Sequence, residues 1–276
     1  MLQPGGRLIV IGYGNMGKAI VDGLTGARQL SGAPPLLERS RVVAVDPRAE
    51  ASDVHIGRDF AAVAPLREGD ALLLAVKPQV FPAVAASVAG ALRSSTLALS
   101  VMAGITSQRI SEALGRHARI VRAMPNTPAQ IGQGATAFAL GPGATAADAG
   151  AARAMLGALG PLVTQIDESL MDAFTAVAGS GPAYLFYFAE AMTAGAIKAG
   201  FDDQTADAVV RQTLLGSAML LASDSRTSPA ELRARVTSKG GTTEAALNTL
   251  ADGKVHQAVV SAILAARDRG RELGSR

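Results

Sequence analysis

The chain has 276 residues, 49% of them hydrophobic and only 4% aromatic, with a formal charge of +3. That length buries the cores of two ordinary domains, and the scattered Lys and Arg make no basic stripe of the kind that binds nucleic acid. Cysteine is absent, which excludes disulfides, thiolate nucleophiles and sulfur-held metal centres, and His55, His117 and His256 are too far apart for a helical metal-ligand pair.

No cationic, apolar and cleavable series opens the chain, and Pro82 and Gly179-Ser180-Gly181-Pro182 interrupt the longest apolar stretches. A cytoplasmic protein without a membrane span is the expectation. In chain order, apolar runs predict strands at Arg7 to Ile11, Arg41 to Val45, Ala71 to Val76, Thr96 to Ser100 and Arg119 to Met124, mostly separated by helical patterns. Such alternation builds a parallel sheet with crossover helices. Further strands follow at Gly134 to Leu140 and Leu162 to Gln165, around an alanine-rich helix from Ala144 to Leu159. From Ser169 strand-like alternation stops. Helices are expected at Ser169 to Ala178, Pro182 to Ala199, Thr205 to Ser223, Ser228 to Val236, Thr243 to Leu250 and Val255 to Leu273. The fold class is an α/β Rossmann-type domain, residues 1–166, followed by an all-α domain, residues 167–276.

Gly12-Tyr13-Gly14-Asn15-Met16-Gly17 joins the first strand to a helix. In such a turn Gly12 permits the bend, Gly14 lets a pyrophosphate approach the backbone, and Gly17 lets helix and strand pack closely. Asp46 and Arg48 end the second strand, Asp46 suited to a free ribose hydroxyl and Arg48 to a 2′-phosphate, so both phosphate states remain open. An insertion around Ser31 to Pro35 delays Asp46 relative to the usual spacing. Ala75-Val76-Lys77-Pro78 and Val101-Met102-Ala103-Gly104 end the next two strands at the edge where cofactors lie in such sheets.

Two later segments carry further candidates. Met124-Pro125-Asn126-Thr127-Pro128 either presents Asn126 and Thr127 or is simply a rigid turn. Ser238-Lys239-Gly240-Gly241-Thr242-Thr243 precedes a helix, where free N–H groups of the glycines and threonines suit a carboxylate. A helix joint capped by Thr242 is the alternative.

Together with Gly179-Ser180-Gly181-Pro182-Ala183-Tyr184, these landmarks resemble those of the pyrroline-5-carboxylate reductase family across nearly the whole chain. The resemblance implies reduction of 1-pyrroline-5-carboxylate to L-proline by NADPH, or by NADH. It implies a helical domain that interlocks with a second subunit, with the substrate pocket formed across the dimer, and assembly up to a decamer made as a pentamer of dimers. By residue-wise transfer, Ile11, Gly12, Tyr13, Gly14, Asn15, Met16, Asp46, Arg48, Ala75 to Pro78 and Val101 to Ala103 line the cofactor. Glu168, Thr242 and Thr243 line the substrate site, and Ser238, Gly240 and Gly241 form its carboxylate loop; on chemical grounds the Thr243 hydroxyl is then expected to hydrogen-bond the ring nitrogen. The chain departs from the family at Lys239 (often Pro), at Arg235 (often Asn), and in lacking an Asn before the third strand, where Asp59 and Ala62 stand.

Two rivals differ in chemistry. A β-hydroxyacid dehydrogenase-like reductase needs a catalytic lysine in the helical domain, for which Lys198 is the candidate before the glycine loop. A dinucleotide-sensing regulator would need no catalytic group at all.

Overall fold

A computed structural model describes residues 5–27, 35–49, 54–63 and 65–274. Of the insertion at Ser31 to Pro35, only Pro35 lies among them. The chain divides into two compact units, one running to Ser180 and taking in the segment from Ala266, the other comprising Gly181–Ala265. The predicted boundary falls just after the last strand, and the first unit continues about a helix's length past it.

The first unit is built on an eight-stranded sheet in the order β3-β2-β1-β4-β5-β6-β7-β8. Its strands are β1 (Leu8–Ile11), β2 (Val42–Val45), β3 (His55–Gly57), β4 (Ala71–Leu74), β5 (Leu97–Ser100), β6 (Ile120–Met124), β7 (Ala135–Leu140) and β8 (Leu162–Gln165). β3 through β6 are mutually parallel, while β7 runs antiparallel to β6 and pairs with a parallel β8. The short strand β3 was not expected from sequence. It pairs with β2 at the sheet edge, and three residues are too few to show a period.

Alternation along the strands feeds two cores. Leu8 and Val10 of β1, with Ala71 and Leu73 of β4, join one; Ile9, Ile11, Leu72 and Leu74 join the other. Both faces are therefore covered, which explains why β4 is apolar at every position. Helix α1 (Asn15–Leu24) buries Ile20, Val21 and Leu24 in the first core, and α2 (Phe81–Val88) buries Phe81, Ala85 and Val88 in the second. α3 (Ser107–Ala113) starts at Thr106, whose hydroxyl accepts from Arg109 N, and α4 (Ala146–Gly157) starts with a reciprocal cap between Thr145 and Asp148. Asp148 is fully buried and also takes an ion pair from Arg119. His117 is a satisfied core residue, its Nε2 lying 2.6 Å from the Thr96 carbonyl.

After β8 the stretch expected as one helix is composite. A 3-10 turn (Glu168–Leu170) leads into α5 (Met171–Phe174) and then a π turn (Thr175–Gly179), with Ser180 N donating to Thr175 O at 2.8 Å. The other unit holds α6 (Gly181–Lys198), α7 (Asp203–Ser223), α8 (Pro229–Arg235), α9 (Thr242–Asp252) and most of α10 (Val255–Gly274). α6 packs against α7. Asp202 caps α7, and α8 starts on a reciprocal Ser228–Glu231 cap with Pro229 at its first position, where the missing N–H costs nothing.

The N-terminal ends of β1 and β4 are tied by Asp70, whose side chain is fully buried and pairs with Arg7 at 2.7 Å. Burial acts to raise its pKa, but hydrogen bonds from the Arg7 side chain and from the backbone N–H groups of Arg67 and Arg7 outweigh that and hold it below the ordinary carboxylate value. Stability drawn from that shift is present above the unfolded-state pKa and is lost as pH falls through the folded one. Asp70→Asn is therefore expected to lose about 2 kcal/mol at pH 7 in chemical denaturation, with the gap from the parent narrowing below roughly pH 4. A gap independent of pH would show that the charge does not act this way.

Candidate functional site

The parallel strands deliver their C-terminal ends to one edge, and the turns that leave them surround a cleft of about 570 Å³. Its lining includes Ile11, Gly12, Gly14, Asp46, Arg48, Ala75, Val76 and Lys77, eight of the positions expected to hold a cofactor. The glycine turn shows why Gly12 and Gly17 are required. Gly12 has φ of +95°, and a Cβ there would lie 2.7 Å from the Ala75 carbonyl oxygen. A Cβ on Gly17 would lie 2.2 Å from the Gly12 carbonyl oxygen, so helix and turn touch without room for a methyl group. Gly14 is different. Nothing among the described residues lies within 4 Å of its would-be Cβ, although it lines the cleft.

Gly14 is also the N-cap of α1, and no side chain caps it. The first N–H groups of a ten-residue helix are thus left for a ligand, at the end where the helix dipole favours negative charge. The open space at Gly14 and these donors fit a pyrophosphate. Asp46 braces the turn: its Oδ2 accepts from Tyr13 N and its Oδ1 from Arg48 N, each at 2.9 Å. The turn-forming reading of Asp46 therefore holds alongside any ligand contact.

The remaining expected cofactor positions are not cleft walls. Tyr13 is buried in the core and offers only backbone to the turn, and Met16 is half-buried against the same core. Asn15 borders a separate hollow of about 220 Å³ with Lys18, Asp22 and Gln130. Pro78 opens a 3-10 turn (Pro78–Val80). Val101 N donates to Leu74 O at 3.0 Å, which sets Val101 to Ala103 beside the end of β4, but Met102 is buried and Val101 packs inward. Arg58, Phe60, Val80 and Val84 line the cleft and were not foreseen. Arg58 follows β3 directly, so recognising that edge strand is the signal that finds it.

Two other expected polar residues are engaged within the first unit. Glu168 accepts from Ser107 N at 2.7 Å and from Arg122 Nη1 at 3.0 Å, and also takes the Ser107 hydroxyl. Arg122 is a buried cation on β6 with Asp172 at 3.8 Å as a second counter-charge. Asn126 presents nothing to solvent: its Nδ2 donates to the Ala178 carbonyl and its Oδ1 accepts from Ala135 N. It satisfies a carbonyl of the π turn, so the rigid-turn alternative describes its side chain.

In the helical unit, the loop before α9 turns at Gly240, with φ of +71°, and Gly241 is the N-cap, with Thr242 the first helical residue. A Cβ on Gly241 would lie 2.3 Å from the Ser238 hydroxyl oxygen, so that hydroxyl sits directly on the loop. The expectation of free glycine N–H groups needs correction. Gly240 N donates to Glu244 Oε2 at 2.7 Å and Gly241 N to Ser238 O at 3.0 Å, because the helix's own first-turn acid supplies the favoured negative charge. Thr243, in the first turn, is half-buried. Glu244 also lines a hollow of about 640 Å³ between α8, α9 and the start of α10. Lys198, the rival catalytic lysine, ends α6 exposed.

Residues 168–273 match the family model described as pyrroline-5-carboxylate reductase dimerisation, and residues 7–104 match NADP oxidoreductase coenzyme F420-dependent. A pyrroline-5-carboxylate reductase from Pseudomonas aeruginosa is 38% identical, the match covering 97% of this chain and 96% of its own. One from Methanosarcina acetivorans is 36% identical, covering 96% and 97% respectively. Among solved structures, a pyrroline-5-carboxylate reductase from Coxiella burnetii superposes with a TM-score of 0.83 at 31% identity, covering 97% of this chain and 98% of that one.

Gly14→Ala and Gly17→Ala separate fold from binding. Gly14→Ala is expected to keep the parent melting temperature within about 2 °C while weakening NADP(H) binding in a fluorescence titration, whereas Gly17→Ala should lower the melting temperature by several degrees. Undiminished binding by Gly14→Ala would remove the pyrophosphate from this turn.

Proposed function

Because the chain belongs to the pyrroline-5-carboxylate reductase family, and so reduces 1-pyrroline-5-carboxylate to L-proline with NAD(P)H, we propose which of its residues do so. The cleft bordered by Ile11, Gly12, Gly14, Asp46, Arg48, Ala75, Val76 and Lys77 holds the dinucleotide. The observation that carries this is the uncapped start of α1 beside the unfilled space at Gly14. Tyr13, Asn15, Met16, Pro78 and Val101 to Ala103 shape the turns around it.

The bound dinucleotide supplies a hydride, and the protein is left to orient the imine and exclude water. The substrate carboxylate binds at the Ser238 to Thr243 loop, where it competes with the Glu244 carboxylate for Gly240 N and gains the Ser238 hydroxyl and the N–H groups of Thr242 and Thr243. Thr243 Oγ1 hydrogen-bonds the ring nitrogen, which takes its proton from solvent through that hydroxyl. Glu168, held by Arg122 and Ser107, positions the segment that leads into the helices. No thiol or histidine step is needed.

Domain limits of 1–166 and 167–276 and a cytoplasmic site of action complete the reading. Among the described residues no helix is long and apolar enough to cross a membrane. The working unit is a homodimer, assembled further as a pentamer of dimers. The support is a helical unit in which only Ala206 and Val210 are buried, while Phe186, Tyr187 and Met219 are 62%, 75% and 63% exposed. Light scattering should give at least twice the monomer mass, and a monomer would contradict the dimer.

Mixing the purified chain with NADPH and 1-pyrroline-5-carboxylate should oxidise the cofactor and yield proline. Thr243→Ala should lower kcat at least tenfold, about 1.4 kcal/mol of barrier. A variant as fast as the parent would take Thr243 out of the reaction.

A further inference from the structure

We propose that Arg58, with Arg48, grips the 2′-phosphate of the dinucleotide and makes this chain prefer NADPH to NADH; the proposal rests on the cleft at the glycine turn being the cofactor site. In β3, Gly57 is paired with Val45 of β2, and Asp46 N donates to Gly57 O at 3.1 Å. Arg58 therefore leaves the sheet level with Asp46-Pro47-Arg48. Its Nη1 donates to the Pro47 carbonyl at 2.6 Å, which fixes the guanidinium beside the residue preceding Arg48, while among the described residues its other donors take no acceptor. Both arginines line the cleft and both are exposed.

The order β3-β2-β1-β4 divides the cleft into two sides. Lys77 leaves β4, on one side of β1, whereas Arg48 and Arg58 leave β2 and β3 together on the other. The end of β2 is the ribose position in a dinucleotide fold. There an acid that selects NAD must offer its oxygens to the ribose hydroxyls. Here each oxygen of Asp46 already accepts a backbone N–H, from Tyr13 and Arg48. Asp59 also borders the cleft and has a partner of its own. Beside these acids two guanidinium forks, those of Arg48 and Arg58, face the ribose end, and a dianionic phosphate is the group such forks match.

Calorimetry on the full-length protein with 2′,5′-ADP and 5′-AMP isolates that phosphate. The parent should bind 2′,5′-ADP at least tenfold more tightly, with the gap narrowing as salt is raised. Arg58→Ala should shrink the gap about tenfold and Arg58→Lys less, and the ratio of kcat/KM for NADPH over NADH should fall in step through KM. Equal affinities in the parent would overturn the proposal while leaving the cleft assignment in place. So would an Arg58→Ala variant that weakens both nucleotides alike, since that marks a purely structural tie to Pro47. Failure of either nucleotide to bind would overturn the cleft assignment and this proposal with it.

Discussion

The in-register parallel pairing of β1 with both its neighbours is the constraint from which the site follows. Ile11 lies opposite Val45 on one side and opposite Leu74 on the other. Three chains therefore leave the sheet at the same level, and only there can Gly12, Asp46 and Ala75 meet. Gly12 N donates to Val45 O and Ala75 N to Ile11 O, so the ladder extends into the turns before the chains diverge. A slip of one residue in either pairing would exchange the two cores, because Leu8 and Val10 face one and Ile9 and Ile11 the other. Burial of the aliphatic strands thus fixes the cofactor edge as a by-product of packing.

The helical unit obeys the opposite logic. Two of its helices are capped by side chains, at Asp202 and Ser228, yet their apolar side chains remain on the surface within one chain. Local hydrogen bonding secures the helices, while Phe186, Tyr187 and Met219 form an exposed apolar surface that calls for a partner. The family model that matches this region is a dimerisation model, in keeping with that requirement.

What was legible in the sequence was what repeats or what geometry forbids. Aliphatic runs gave β1, β2, β4, β5 and β6 to within a residue or two at their ends, and the largest overrun, two residues past β4, arises because Ala75 and Val76 turn away to wall the cleft. Glycines at Gly12 and Gly17 could be read because no other residue fits. Features set by distant partners were not legible. β3 exists through pairing with β2, and Arg58 gains meaning only from β3. The side chain of Asn126 is directed by a carbonyl 52 residues away, in a π turn that no local pattern announces. The occupation of Gly240 N by Glu244 is local, four residues apart, and could have been anticipated from the preference for acids in the first turn of a helix.

The account stands on direct hydride delivery to the imine carbon. Reaction of the enzyme with NADPH deuterated at nicotinamide C4, on the transferred face, should give L-proline with a single deuterium at C5, read by mass spectrometry and NMR. Proline without deuterium, or its appearance only from deuterated solvent, would contradict it.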